Sequence, residues 1–260
     1  MAITGKFNTD SKALANRIAA HDKYGSKDIN EWIFKNLELG KGLSIVDLGC
    51  GTGKQTIPMA EIVGSTGNIT AVDVSNESLT ILINEARNKN LEKNITVLNC
   101  DLDNLNVQHL GSNKFDRVLA SYSIYYSKNP EALFETIQTG LKPGGLFFFC
   151  GPSAENNGEL KKFIASIKNS PVEKAASGAD FMENTGQELA RNMFNSVEIS
   201  IFNNPLKFDT PDSLYRYWSS YNLYDEKLDS AFQEAANEHF KTSDYFITYK
   251  RVLGVKAKKQ

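Results

Sequence analysis

Apolar residues along this chain gather into short unbroken runs, separated by longer segments in which they recur every three or four positions. The runs at 44–48, Ile69–Val74, Ile95–Leu98, Phe115–Ala120 and Leu146–Cys150 lack the alternation of a half-exposed strand and read as parallel strands buried on both faces. Between them, Lys54–Val63, Glu77–Lys89 and Glu131–Leu141 carry helical periodicity. Ser75 or Asn76 caps the second of these helices, and Pro130 fits the first turn of the third. Gly140, Pro143, Gly144 and Gly145 punctuate the entry to the fifth strand. Right-handed crossovers between parallel strands place helices on both faces of the sheet, so the pattern predicts a doubly wound α/β fold.

The pattern loosens at both ends. Ahead of the first strand, Asp28–Leu37 shows an apolar stripe of Ile29, Trp32, Ile33 and Leu37. After Cys150, a short helix near Glu159–Ile167 leads into a polar stretch, Ser170–Asn184, which is long for a loop and reads as a mobile segment or disordered excursion. Thr185-Gly186-Gln187-Glu188 has the form of a capping box opening another helix. Val197–Phe202 and Tyr245–Ala257 read as two final strands, with helical segments Pro211–Tyr221 and Glu226–Lys241 between them. The organisation expected is one domain over 1–260. It comprises an N-terminal helical segment at 1–40, a core at 41–153 and a helical insertion at 203–244 between the last two strands.

Composition narrows the class without changing the fold. A chain of 260 residues with 41 % hydrophobic and 23 % charged content suits one soluble domain. A formal charge of -2 supplies no basic face for phosphate backbones, so no nucleic-acid partner is expected. The sequence shows neither a signal-peptide core nor an apolar stretch of membrane-spanning length, and a cytoplasmic location is the expectation. Cys50, Cys100 and Cys150 are odd in number and lack metal-binding spacing; they read as small residues near strand ends, with no metal site.

Chemistry concentrates at the strand ends. Ile45-Val46-Asp47-Leu48-Gly49-Cys50-Gly51-Thr52-Gly53 is a buried strand running into three alternating glycines, and Asp73 ends the second strand. Glycine backbone admits close approach, a following helix N-terminus offers free N–H groups, and a carboxylate can accept from both hydroxyls of a ribose. A dinucleotide fingerprint would need glycine or alanine at 54, where Lys54 stands. A phosphate-binding P-loop would need glycine at Leu48 and serine or threonine at Gln55.

The remaining pattern, D-x-G-x-G-x-G with an acidic residue ending strand two, resembles motifs I and II of the class I S-adenosylmethionine-dependent methyltransferases, and the overall layout resembles their UbiE-like, small-molecule type. The resemblance implies a Rossmann-like seven-stranded sheet with only its last strand antiparallel and a helical cap, with S-adenosylmethionine as cofactor. It further implies that Gly49, Cys50, Gly51 and Gly53 face the methionine and ribose, with Asp47 beneath the amino-acid end. Asp73 would then hold the ribose, Val74 would lie against the adenine, Asp101 and the backbone of Leu102 would read the adenine edge, and Ser121 would sit near the methyl group.

For the acceptor, Tyr122, Tyr125 and Tyr126 follow the fourth strand on the ligand side. Tyr24 is expected over the cleft, and Trp218 and Tyr221 belong to an aromatic stripe that could look into it. His21 and Tyr126 are the candidate bases. Ser121-Tyr122-Ser123-Ile124 departs from the Asn/Asp-Pro-Pro-aromatic motif of base and glutamine methylation. The expected function is methyl transfer to a small-molecule acceptor at O, N or C. The alternatives are an RNA methyltransferase and a catalytically silent cofactor-binding subunit; oligomeric state and acceptor identity are not legible.

Overall fold

A computed structural model describes residues 23–172, 177–221 and 223–260. Seven strands form one sheet in the order β3-β2-β1-β4-β5-β7-β6. They are β1 (Ser44–Leu48), β2 (Asn68–Asp73), β3 (Ile95–Asn99), β4 (Phe115–Ser121), β5 (Leu141–Pro152), β6 (Ser196–Phe208) and β7 (Phe246–Lys258). The first five pair in parallel, and β7 runs antiparallel to β5 with Phe149 opposite Val255. The predicted sheet and its reversed last strand are therefore present.

Helices α1 (Ile29–Asn36), α2 (Thr56–Val63), α3 (Asn76–Asn88), α4 (Val107–Leu110) and α5 (Pro130–Gly140) link the first strands. Ser75 caps α3 through its side chain and Pro130 stands in the first turn of α5, as the sequence indicates, and Asn129 supplies the α5 cap. The parallel strands are buried on both faces. One face packs Val118, Ala120, Phe147 and Phe149 against Phe134 and Ile137 of α5. The other packs Ile45, Leu119 and Phe148 against Ile33 of α1 and Met59 of α2.

Three boundaries differ from the sequence reading. β5 begins at Leu141, which pairs with Phe115; residues 142–145 bulge out, and Leu146 resumes the ladder opposite Arg117. The polar stretch after Ser170 contains a helix, α7 (Ser177–Glu183), preceded in the chain by α6 (Gly158–Lys168). The capping box at Thr185–Glu188 is absent. Helix α8 (Thr185–Met193) starts behind Asn184, which makes no side-chain cap, and the Asn184 amide instead donates to Asp180 Oδ1 at 2.9 Å.

The chain separates into two compact units. The larger comprises 29–154, 175–202 and 252–260 and holds the sheet's parallel portion. Among the described residues the smaller draws on 23–28, on 155–172 and on 203–251. Its core packs Leu160 and Ile164 of α6, Leu214, Tyr217 and Trp218 of α9 (Pro211–Ser219), and Phe232 and Ala236 of α10 (Asp229–Thr242).

Candidate cofactor site

Because β1 to β4 are parallel, their carboxyl ends lie along one edge of the sheet, and the loops leaving them converge there. Leu48 pairs with Val72 and Asp73 with Asn99, which brings the glycine loop, Asp73 and the loop after β3 alongside one another. A cleft of about 310 Å³ lies among them, lined by Gly49, Asp73, Val74, Cys100, Asp101, Leu102, Asp103, Tyr122, Ser123, Tyr126 and Lys128. That volume lies within the range of small-ligand sites.

The three glycines have three different tasks. Gly49 lies at φ 72°, and a Cβ there would fall 2.3 Å from Ser123 Cβ, so its role is to let the loop after β4 come close. Gly51 lies at φ 52° with nothing within 4 Å of a Cβ, so its face is open, although of the three glycines it is Gly49 that lines the cleft. Gly53 meets Leu82 of α3 and serves helix packing. Helix α2 begins at Thr56, two residues later than Lys54.

Asp73 is fixed from two sides. The Gly51 N–H donates to its Oδ2 at 2.8 Å, and the Ser75 N–H donates to its Oδ1 at 2.8 Å. A carboxylate offers about four lone-pair positions, so about two stay available to a ligand's hydroxyls. Asn99 Nδ2 donates to the carbonyls of Asp73 and Val74 at 3.0 and 2.9 Å and holds the chain after β2 in place. Val74 is 67 % exposed, an apolar side chain held open on the cleft wall.

Asp47 is buried beneath the loop, and Thr56 Oγ1 donates to its Oδ2 at 2.6 Å. Burial pushes its carboxyl up to about 7, against the Thr56 hydrogen bond; the neighbouring Asp73 charge adds to the rise. Burial likewise pushes the Cys50 thiol up, which makes it inert. Asp101 lines the cleft, and its Oδ1 accepts from the Asp103 N–H at 3.0 Å. Asp73, Asp101 and Asp103 outnumber Lys128 on the cleft wall, which gives it an electrostatic preference for cationic ligands.

The loop after β4 differs from expectation. Ser121 is not among the lining residues and accepts from the Cys150 thiol at 3.6 Å. The chain then turns through Tyr122, a bulky residue at φ 59°, a left-handed backbone conformation uncommon for such a side chain. This turn brings Ser123 under the glycine loop, where its hydroxyl donates to the Leu48 carbonyl at 2.5 Å. Tyr122 and Tyr126 reach the cleft, and Tyr126 is 60 % exposed. Tyr125 instead packs against Gly151, Gly178 and Met182, and burial raises its phenol well above the ordinary range.

The other predicted pocket residues belong to the smaller unit. Trp218 is fully buried there, stacked on Phe232 at 4.0 Å; Tyr221 is buried in the same cluster, and Tyr24 packs on Phe208. His21 lies outside the described residues. Asn99, Asp103, Ser123 and Lys128 were not singled out from sequence. Asp103 alone left a trace there, as a second acidic residue two places after Asp101. Among the described residues no group of histidine, cysteine, aspartate and glutamate is arranged for a metal, and no helix is long and apolar enough to cross a membrane.

A sheet ordered 3-2-1-4-5-7-6, with a glycine-rich loop and carboxylates at the ends of β2 and β3 around one cleft, defines the class I S-adenosylmethionine-dependent methyltransferase architecture. The methyltransferase domain family matches residues 39–198, more than half of the chain, and the chain belongs to it.

A demethylmenaquinone methyltransferase of Lactobacillus johnsonii is 29 % identical over 154 residues, covering 56 % of this chain and 62 % of that protein. A protein-L-isoaspartate O-methyltransferase of Methanosarcina mazei is 36 % identical over 114 residues, covering 42 % and 41 %. The chain thus spans less than two thirds of the length of these curated relatives. The solved structure of an S-adenosylmethionine-dependent methyltransferase from Aquifex aeolicus shares the fold, with a TM-score of 0.57 and 14 % identity over 96 % of this chain and 98 % of that one.

Proposed function

We propose that this chain binds S-adenosylmethionine in the cleft and transfers its methyl group to a small-molecule acceptor. The observation that carries this reading is the Asp73 carboxylate, clamped by the Gly51 and Ser75 N–H groups while it still lines the cleft. Such a carboxylate suits a ribose diol, the exposed Val74 suits an adenine face, and Asp101 with the Leu102 backbone suits the adenine edge. When bound, the cofactor supplies an electrophilic sulfonium methyl group. The chain's residues have to align the acceptor with it and exclude water, which can provide much of the acceleration. Tyr122 and Tyr126 line the same cleft, which supports aromatic walls for the acceptor, and Tyr126, as its phenolate, is the base assigned where the acceptor must lose a proton. Relatives named for acceptors as different as a demethylmenaquinone and a protein isoaspartate support the transferred methyl group more than any one acceptor.

Calorimetric titration with S-adenosylhomocysteine, using NAD as the control ligand, tests the reading. Saturable binding of the former alone is expected. Asp73→Ala should weaken it by about 1.5 to 3 kcal/mol, since a charged hydrogen-bond acceptor is lost. A folded wild-type protein that does not bind S-adenosylhomocysteine would refute the proposal. Labelled methyl transfer into pools of small metabolites then identifies the acceptor.

A further inference from the structure

Two walls of the cleft come from strands that are not neighbours. Asp101, Leu102 and Asp103 follow β3, while Tyr122, Ser123, Tyr126 and Lys128 follow β4, and the sheet order places β2 and β1 between those strands. With neighbouring strands about 4.8 Å apart, β3 and β4 are separated by roughly 14 Å, so their loops can meet only by leaning across the ends of β1 and β2. They do meet, and three hydrogen bonds between them converge on one oxygen atom. Asp103 Oδ1 accepts from Ser127 Oγ at 2.7 Å, from the Lys128 N–H at 2.8 Å and from the Asn129 N–H at 3.3 Å. Both loops are seated on the same hydrophobic core, Leu102 packing against it and Ile124 buried within it.

We propose that Asp103 is the positioning residue that fastens the loop after β3 to the loop after β4 and so sets the width of the cofactor cleft. This rests on the reading that the cleft takes S-adenosylmethionine. Partial burial pushes the Asp103 carboxyl up, but the hydrogen bonds from Ser127, Lys128 and Asn129, together with the Lys128 charge, outweigh it and hold the group below the usual carboxylate range. The link is therefore made by an ionised acceptor, which gives short, directional hydrogen bonds. It joins the wall assigned to the adenine to the wall that carries Tyr126. Occupancy of the first then bears on the position of the second.

The test compares wild type, Asp103→Ala, Asp103→Asn and Ser127→Ala. Its readouts are calorimetric affinity for S-adenosylhomocysteine and amide hydrogen exchange at Lys128 and Asn129. Asp103→Ala should bind about tenfold more weakly, with faster exchange at both amides. Asp103→Asn keeps an acceptor oxygen and should recover most of that loss. Ser127→Ala should weaken binding about threefold, and it decides the matter if Asp103→Ala does not fold. Wild-type affinity in Ser127→Ala, or in Asp103→Ala with accelerated exchange, would overturn the proposal. Absence of binding to the wild type is a different failure: it removes the cofactor reading and this inference with it.

Discussion

At the scale of single residues, the glycine loop divides its labour in a way that one-atom substitutions separate. Gly49→Ala places a methyl group 2.3 Å from Ser123 Cβ and should cost about 1 to 3 kcal/mol of folding stability, the range for overpacking, measured by urea unfolding. Gly51→Ala meets no atom within 4 Å. It should cost only about 1 kcal/mol for its left-handed backbone, yet weaken S-adenosylhomocysteine binding severalfold, because the Gly51 N–H holds the Asp73 carboxylate proposed for the ribose. Equal effects of the two on both readouts would contradict the assignment. The sequence displayed all three glycines but not which would pack against another loop, since that depends on Ser123 arriving beneath Gly49. That Ser121 is not among the lining residues has the same origin: the left-handed turn at Tyr122 is a local strain that no periodicity announces.

At the scale of elements, the buried strands and helices α3 and α5 were legible, because continuous apolar runs, the Ser75 cap and Pro130 in a first turn are local signals. Helix α7 was not, since Ser-Gly-Ala-Asp-Phe-Met-Glu is short and has no apolar stripe. What makes it a helix is tertiary. The Tyr125 ring lies against Gly151 and Gly178, Met182 also lies against Gly151, and Glu183 Oε1 accepts from the Ala154 N–H at 2.6 Å. A Cβ at Gly151 would fall 2.8 Å from the Tyr125 ring. Gly151→Ala should therefore displace the ring, destabilise the protein by about 1 to 3 kcal/mol and speed amide exchange across 177–183 more than in α3. Uniform exchange rates would show that α7 does not depend on this seat. The aromatic stripe at Tyr215, Trp218 and Tyr221 was legible as a helix face, but whether it met protein or solvent was not; Trp218 stacks on Phe232.

At the scale of the whole molecule, carboxylates held by cations occur in both units. In the larger, Lys142 Nζ donates to both oxygens of Asp116 at 2.8 and 2.9 Å, and the Ser44 N–H adds a third hydrogen bond. In the smaller, Arg251 donates to Glu159 at 3.0 and 3.4 Å, with Thr248 Oγ1 and the Tyr249 N–H also donating. Partial burial pushes the Glu159 carboxyl up, yet its hydrogen bonds and the Arg251 charge prevail and lower it from 4.5. A carboxylate depressed on folding stabilises above its unfolded value and loses that contribution as pH falls through its folded value. Glu159→Gln should thus cost about 1 kcal/mol at pH 7, a figure discounted for partial exposure, and the difference should shrink towards pH 3 in thermal unfolding. A constant difference across that range would mean the ion pair contributes nothing.

The strand order carries a further consequence, for synthesis. β7 lies between β5 and β6, although it is made after both. While the ribosome is still reading the segment that follows Phe208, β5 has an unfilled edge and β6 has no neighbour to dock on. The nascent chain passes through an interval in which an open ladder beside Phe147 and Phe149 is available to any stray strand, and a chaperone or a slow stretch of translation would matter most there.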